Sequence, residues 1–152
     1  MAIIVKKAQS LPRSEVVEIA KSWIGTPYHH QASVKGVGCD CLGLVRGVWR
    51  ELYGEEPESP PPYSPDWGQV GRTETLLEAA ARHFKPVPLD NVEPGDVLLF
   101  RMKPKAIAKH CGIISQNDRL IHAQERVGVC EIKLSDSWKR LTVAGFLFRR
   151  NF

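Results

Sequence analysis

Between Tyr53 and Thr73 the chain reads GEEPESPPPYSPDWGQVGR, and the five prolines of its EEPESPPPYSPDW portion allow neither a helix nor a central strand to run through it. This surface loop lies between regions of different hydrophobic period. Upstream, SEVVEIAKSWIGTPY sets Val16, Ala20, Trp23 and Ile24 on one helical face, with Ser14 as cap, Glu15 and Glu18 favoured by the macrodipole, and Gly25 and Pro27 as stop signals. A helix near 15–24 is predicted. From Cys41, the apolar positions Leu44, Val45, Val48, Trp49, Leu52 and Tyr53 recur at three- and four-residue spacing until Gly54, which predicts a second amphipathic helix. TPYHHQASVKGVG, between the two, reads as a loop. TETLLEAAARHF predicts a third helix near 74–84, with Thr73 as cap and Leu76, Leu77, Ala80 and Phe84 facing inward. After KPVPLDNVEPGD, the runs DVLLFRM, HCGIIS, RLIHAQ, VGVCEI and GFLFRR have strand composition with turn chemistry between them, and SDSWKRL suggests a short helical turn. Helices first and strands second make the class α+β, with a small antiparallel sheet.

A length of 152 residues fits one domain over 1–152, and 43% hydrophobic with 25% charged residues is the balance of an ordinary globular protein. No apolar run approaches the roughly 20 residues that span a bilayer, and MAIIVKKAQSLPRS lacks the pattern of a secretory signal. In that setting the four cysteines read as reduced thiols rather than a disulfide framework. The net charge of +4 is dispersed, and no nucleic-acid-binding signature is present.

The stretch GVGCDCLGLVRGVW raises the question of which cysteine carries chemistry. Cys41 stands at the first turn of the predicted helix, where free backbone N–H groups and the positive end of the dipole favour a thiolate, and Asp40 is placed to be the N-cap. Cys39 lies in the approaching loop and gains little from the dipole. A nucleophilic thiol needs a base and the base needs an orienting group. HCGIISQNDRLIH provides both if the hairpin turns about Gln116, which sets His110 opposite His122 on one face. Cys111 then points away from His110, and both Cys111 and Cys130 read as core or sheet-face thiols. His29 and His30 read as exposed loop residues near the cleft, and Asp96 as a turn residue.

GTPYHHQASVKGVGCDCLGLVRGVW, EPGDVLLF and HCGIISQNDRLIHA together resemble the NlpC-type cell-wall peptidases, a papain-like family, over roughly Ser14 to Ala123. The compact chain, without wall-binding repeats, looks most like the branch encoded by phages and gene-transfer particles. The resemblance implies a papain-like fold with the nucleophile at a helix N-terminus. It also implies hydrolysis of peptidoglycan stem peptides, typically after D-glutamate, with Cys41 as nucleophile, His110 as general base and then acid, and His122 as the orienting group. Tyr28, Asp40 and Leu42 match positions that line the family's substrate cleft. Leu42 departs from the usual serine, which favours altered specificity or a retired, structural tail component. No cofactor is required, and the expected partners are a peptidoglycan peptide and phage-like tail or baseplate proteins. The expected route is synthesis in the cytoplasm and carriage in such a particle to the wall.

A zinc site is the competing chemistry, since Cys39, Cys41, His110, Cys111 and His122 are competent ligands. The Cys-x-Cys spacing and the alternation of His110 with Cys111 along a strand argue against it.

Overall fold

The computed structural model describes residues 12–58, 60 and 74–149. Helix α1 spans Arg13–Ser22, and its N-cap is Pro12 rather than Ser14, which lies inside the first turn and caps nothing. The start is anchored instead by Arg13, whose guanidinium donates to both oxygens of the fully buried Asp96 at 3.0 and 3.2 Å. The helix also ends earlier than the periodicity predicts. Val16, Ala20 and Trp23 are buried, but Ile24 lies beyond the end and is exposed.

The predicted loop between the first two helices contains a two-stranded hairpin, β1 (Ser33–Val34) and β2 (Gly38–Cys39), with Tyr28 bridging to Cys39. Helix α2, Cys41–Tyr53, begins and ends where predicted, and it buries Leu44, Val45, Val48 and Trp49. Gly43 lets this helix press on the hairpin, because a Cβ there would run into the Ala32 carbonyl. Helix α3 is Thr75–His83 with Glu74 at its N-cap; the predicted cap Thr73 and most of the proline-rich segment lie outside the described residues. Leu76 and Ala80 are buried as predicted, while Leu77 and Phe84 pack on the core partly exposed.

Six antiparallel strands form the main sheet, in the order β3-β8-β4-β5-β6-β7. They are β3 (Lys85–Val87), β4 (Val97–Phe100), β5 (His110–Ser115), β6 (Arg119–Gln124), β7 (Gly128–Lys133) and β8 (Thr142–Leu147). Strand β3 was not predicted because Pro86 breaks the pattern; it is an edge strand, where a missing donor is tolerated. Strand β8 starts three residues before the predicted GFLFRR. Helix α4 (Asp136–Leu141), capped by Ser135, is the predicted SDSWKRL turn.

Side-chain alternation gives the sheet two working faces. One carries Val97, Leu99, Cys111, Ile113, Ile121 and Ala123 against α1, α2 and α3. The other carries Leu98, Phe100, Ile114 and Leu120 against Trp138 of α4. This is the α+β, papain-like arrangement: a helix tip delivered to the open end of a central strand.

Candidate active site

Asp40 adopts extended backbone and accepts from the Gly43 N–H at 2.7 Å, which makes it the N-cap of α2 and leaves Cys41 as the first helical residue. Its other oxygen accepts from the Gln31 N–H at 2.8 Å. With 3% exposure, Asp40 is a buried strut between loop and helix. It stands behind the cleft wall that the resemblance assigned to it, with both oxygens accepting from backbone amides and one of them 3.9 Å from Nδ1 of the cleft residue His30.

The cleft at the tip of α2 has a volume of about 480 Å³, and Tyr28, His30, Cys41, His110, His122 and Trp138 are among its walls. Three elements meet there. Cys41 projects half-buried from the helix, His110 opens β5, and His122 lies in the middle of β6. Leu42 does not reach this cleft. It turns with Val45 and Trp49 into a separate apolar cavity of about 200 Å³ between α2, α3 and the sheet, whose wall also includes Cys111.

His110 Nε2 lies 2.9 Å from His122 Nδ1. The hairpin reaches this contact by a register other than the predicted one. Ile113 pairs with Ile121 and Ser115 with Arg119, which centres the turn on Asn117, one residue beyond Gln116. Asn117 and Asp118 take positive φ of 61° and 58°, a conformation their short polar side chains tolerate. A whole-residue shift of the centre moves each partner by two positions and preserves the face, so the rings meet diagonally. Gly112 makes the diagonal possible. It sits across from His122, and a Cβ there would lie 2.9 Å from Leu120 Cδ1 and 3.1 Å from His122 Cβ. Sequence reasoning missed Gly112, although its place midway in HCGIIS was the available signal.

His122 is 1% exposed, and burial with the neighbouring His110 pushes its pKa down to about 4. It is therefore neutral at physiological pH and can accept at Nδ1, which leaves its proton on Nε2. That nitrogen has no hydrogen-bond partner among the described residues. The Trp138 ring stands edge-on to His122 at 5.3 Å and tilted against His110 at 5.9 Å, closing the outer side of the pair. With His122 accepting, His110 donates from Nε2 and keeps Nδ1 open toward Cys41.

The four cysteines are free, and their environments differ sharply. Cys41 is held well below an ordinary thiol by the neighbouring Cys111 thiol and by the adjacent His110, against desolvation and the Asp40 charge. Cys111, 1% exposed, also donates to the Cys41 carbonyl oxygen at 3.3 Å. It is pushed well above an ordinary thiol by the Cys41 side chain beside it and by burial, and so stays protonated. Cys39 is a fully buried strand residue, not a loop thiol, and burial pushes it up to about 12. Cys130 is half-buried on β7, and burial raises it too. Tyr28 is likewise raised by burial and by the Cys41 charge, so its hydroxyl stays a donor. Among the described residues no group of three or more His, Cys, Asp or Glu side chains is arranged to hold a metal ion.

A helix-tip thiol and a histidine pair on an antiparallel sheet share one cleft in a papain-like fold. Residues 25–145 match the NlpC/P60 family model, and the chain belongs to that family. It is 32% identical over 125 residues to a gamma-DL-glutamyl hydrolase of Bacillus subtilis (strain 168), an alignment covering 82% of this chain and 26% of that protein. It is 28% identical over 130 residues to the murein DD-endopeptidase MepS/murein LD-carboxypeptidase of Escherichia coli (strain K12), covering 84% and 58%. The chain thus spans from about a quarter to just under three fifths of these curated relatives. Among solved structures, an NlpC/P60 family protein from Bacillus cereus ATCC 10987 superposes with a TM-score of 0.64 at 17% identity, covering 91% of this chain and 41% of that one. The NlpC/p60 domain of the peptidoglycan hydrolase SagA superposes with a TM-score of 0.59 at 21% identity, covering 88% and 96%.

Proposed function

We propose that the protein is a thiol peptidase that hydrolyses amide bonds in bacterial cell-wall stem peptides. The observation that carries this reading is the convergence of Cys41, His110 and His122 on one cleft, with the histidines 2.9 Å apart. Cys41 passes its proton to His110 Nδ1 and, as thiolate, attacks the scissile carbonyl. The Cys41 backbone N–H, in the first turn of α2 and without an intrahelical acceptor, donates to the oxyanion, and one such preorganised donor is worth about 3 kcal/mol. His110 protonates the leaving amine from Nδ1 and then activates the water that hydrolyses the thioester. His122 fixes the His110 tautomer without exchanging protons with substrate. Tyr28 offers a hydroxyl donor on the cleft wall for the peptide backbone.

The relatives' names differ over which bond they cut, gamma-DL-glutamyl in one and DD or LD in another. The test is therefore a panel of stem peptides carrying each bond, incubated with the wild type and with Cys41→Ala and resolved by mass. We expect cleavage between D-glutamate and the diamino acid by the wild type alone. Turnover by both proteins, or by neither, overturns the assignment. Leu42, the feature that favours a retired tail component, lines the second cavity and not the cleft. Carriage in a phage-like tail belongs to the proposal on the resemblance alone. Co-purification of the protein with tail particles tests it, and absence from them overturns it.

A further inference from the structure

The helix-facing side of the sheet is lined by Val97, Leu99, Ile113, Ile121 and Ala123, and among these aliphatic groups β5 places one polarisable hydrogen-bond donor, Cys111. It sits one residue from His110 and therefore on the opposite side of the strand. Both residues nonetheless flank Cys41, because the tip of α2 lies across the start of β5: the Cys41 sulfur is 3.7 Å from the Lys109 carbonyl oxygen, the Cys111 sulfur is 3.3 Å from the Cys41 carbonyl oxygen, and His110 shares the Cys41 cleft. The nucleophile is bracketed by an imidazole from one face and a thiol from the other.

We propose that Cys111 is a positioning residue for the nucleophile: its buried S–H turns from the Cys41 carbonyl oxygen to the Cys41 sulfur when that sulfur ionises, and so holds the thiolate that His110 faces. The Cys111 sulfur lies 3.3 Å from the carbonyl oxygen of the same residue whose side chain ionises, so rotation about the Cβ–Sγ bond of Cys111 re-aims the proton without moving the backbone. A thiol is a weak donor to a neutral acceptor and a stronger one to an anion. The Cys41 side chain beside it and burial keep Cys111 protonated, so it donates without competing as a second nucleophile. The other ionisable groups acting on Cys41 are Asp40 at its own cap and His110, and the Cys41 charge in turn raises Cys39 and Tyr28 in the preceding segment. His30, Lys109, His122 and Glu125 line the same cleft. None of these changes when Cys111 is substituted, which isolates the thiol's share.

The inference rests on Cys41 as the reactive thiol of the proposed peptidase, and its test does not use peptide hydrolysis. Residue-resolved alkylation by iodoacetamide is followed from pH 5 to 9 in the wild type, Cys111→Ser, Cys111→Ala and Cys111→Val. In the Ala and Val proteins the midpoint of Cys41 labelling is expected to rise by about one pH unit, which is about tenfold slower labelling at pH 6. Ser, which restores a donor of similar size, stays within about twofold of the wild type. Profiles that superimpose for all four proteins, or a Ser profile displaced as far as Ala, overturn the proposal. A measurement on the wild type guards against variants that fail to fold. The S–H Raman band lost in Cys111→Ser should move to lower frequency as Cys41 ionises, and a band that stays put overturns the proposal equally. A protein that passes these tests yet cleaves no stem peptide refutes the peptidase reading and leaves the role of Cys111 intact.

Discussion

Removing the Asp40 carboxylate separates two effects that the structure combines in one side chain. Asp40→Ala deletes the acceptor of the Gly43 N–H, an N-cap contribution of about 1 kcal/mol. It also deletes the charged acceptor of the Gln31 N–H, about 1.5 kcal/mol more. The loss of about 2 to 3 kcal/mol should lower the melting temperature by about 5 to 10 °C in a domain of this size. Asp40→Asn keeps one acceptor and turns an amide donor toward the other N–H, so its melting point should fall between wild type and Ala. The electrostatic effect runs the other way. The Asp40 charge opposes ionisation of Cys41, so its removal in Asn favours the thiolate and moves Cys41 alkylation to lower pH while the protein becomes less stable. Thermal melts and urea titrations give the stability order, and residue-resolved alkylation gives the thiol. An Ala protein melting within about 1 °C of wild type, or an Asn protein whose Cys41 labelling moves to higher pH, refutes this account of the residue.

His122 should make stability pH-dependent. The unfolded ring binds a proton near its ordinary 6.5 and the folded ring only near 4, so its contribution is complete above pH 6.5 and is lost as pH falls toward 4, by up to about 3 kcal/mol. Urea titrations at pH 7.5 and 4.5 measure the loss, and His122→Phe should flatten it. Gly112→Val forces a branched side chain against Leu120 and His122, so hydrolysis should fall at least about tenfold with the fold retained by circular dichroism; full activity would show that the diagonal histidine contact is dispensable. Leu42→Ser should cost about 1 to 2 kcal/mol in urea unfolding because it removes apolar surface from the second cavity. A gain in turnover without that cost would return Leu42 to the cleft.

The parts of this fold visible in the sequence are those with period and punctuation. Helix α2 carries its apolar stripe between an Asp cap and Gly54, and β5 and β6 match their predicted runs residue for residue. Elements of two or three residues carry no period, so β1, β2 and the proline-containing β3 were invisible. Ser14 failed as a cap because a contact 83 residues away in sequence fixes where α1 begins. Within the candidate site, position was more legible than direction. The resemblance placed Tyr28, Asp40 and Leu42 near the nucleophile, but only the three-dimensional packing shows that Asp40 is buried against two backbone amides and His30, and that Leu42 faces a different cavity. Strand alternation correctly turned Cys111 away from His110. It could not show that the helix tip lies across the strand end, where facing away from the histidine still means facing Cys41.

The ion pair between Arg13 and Asp96 bears on where a working unit can be cut. The family match begins at residue 25, after α1, yet α1 supplies the cation that neutralises a carboxylate with no solvent exposure. Val16 and Ala20 of the same helix, with Trp23 just after it, are built into the core beneath α2. A fragment trimmed to the matched residues would retain every ring and thiol of the cleft while stranding a buried charge, a defect that costs about 3 to 5 kcal/mol. The minimal unit for expression, crystallisation or grafting onto another wall-targeting module therefore starts at Pro12 or before, ahead of the boundary that family resemblance suggests.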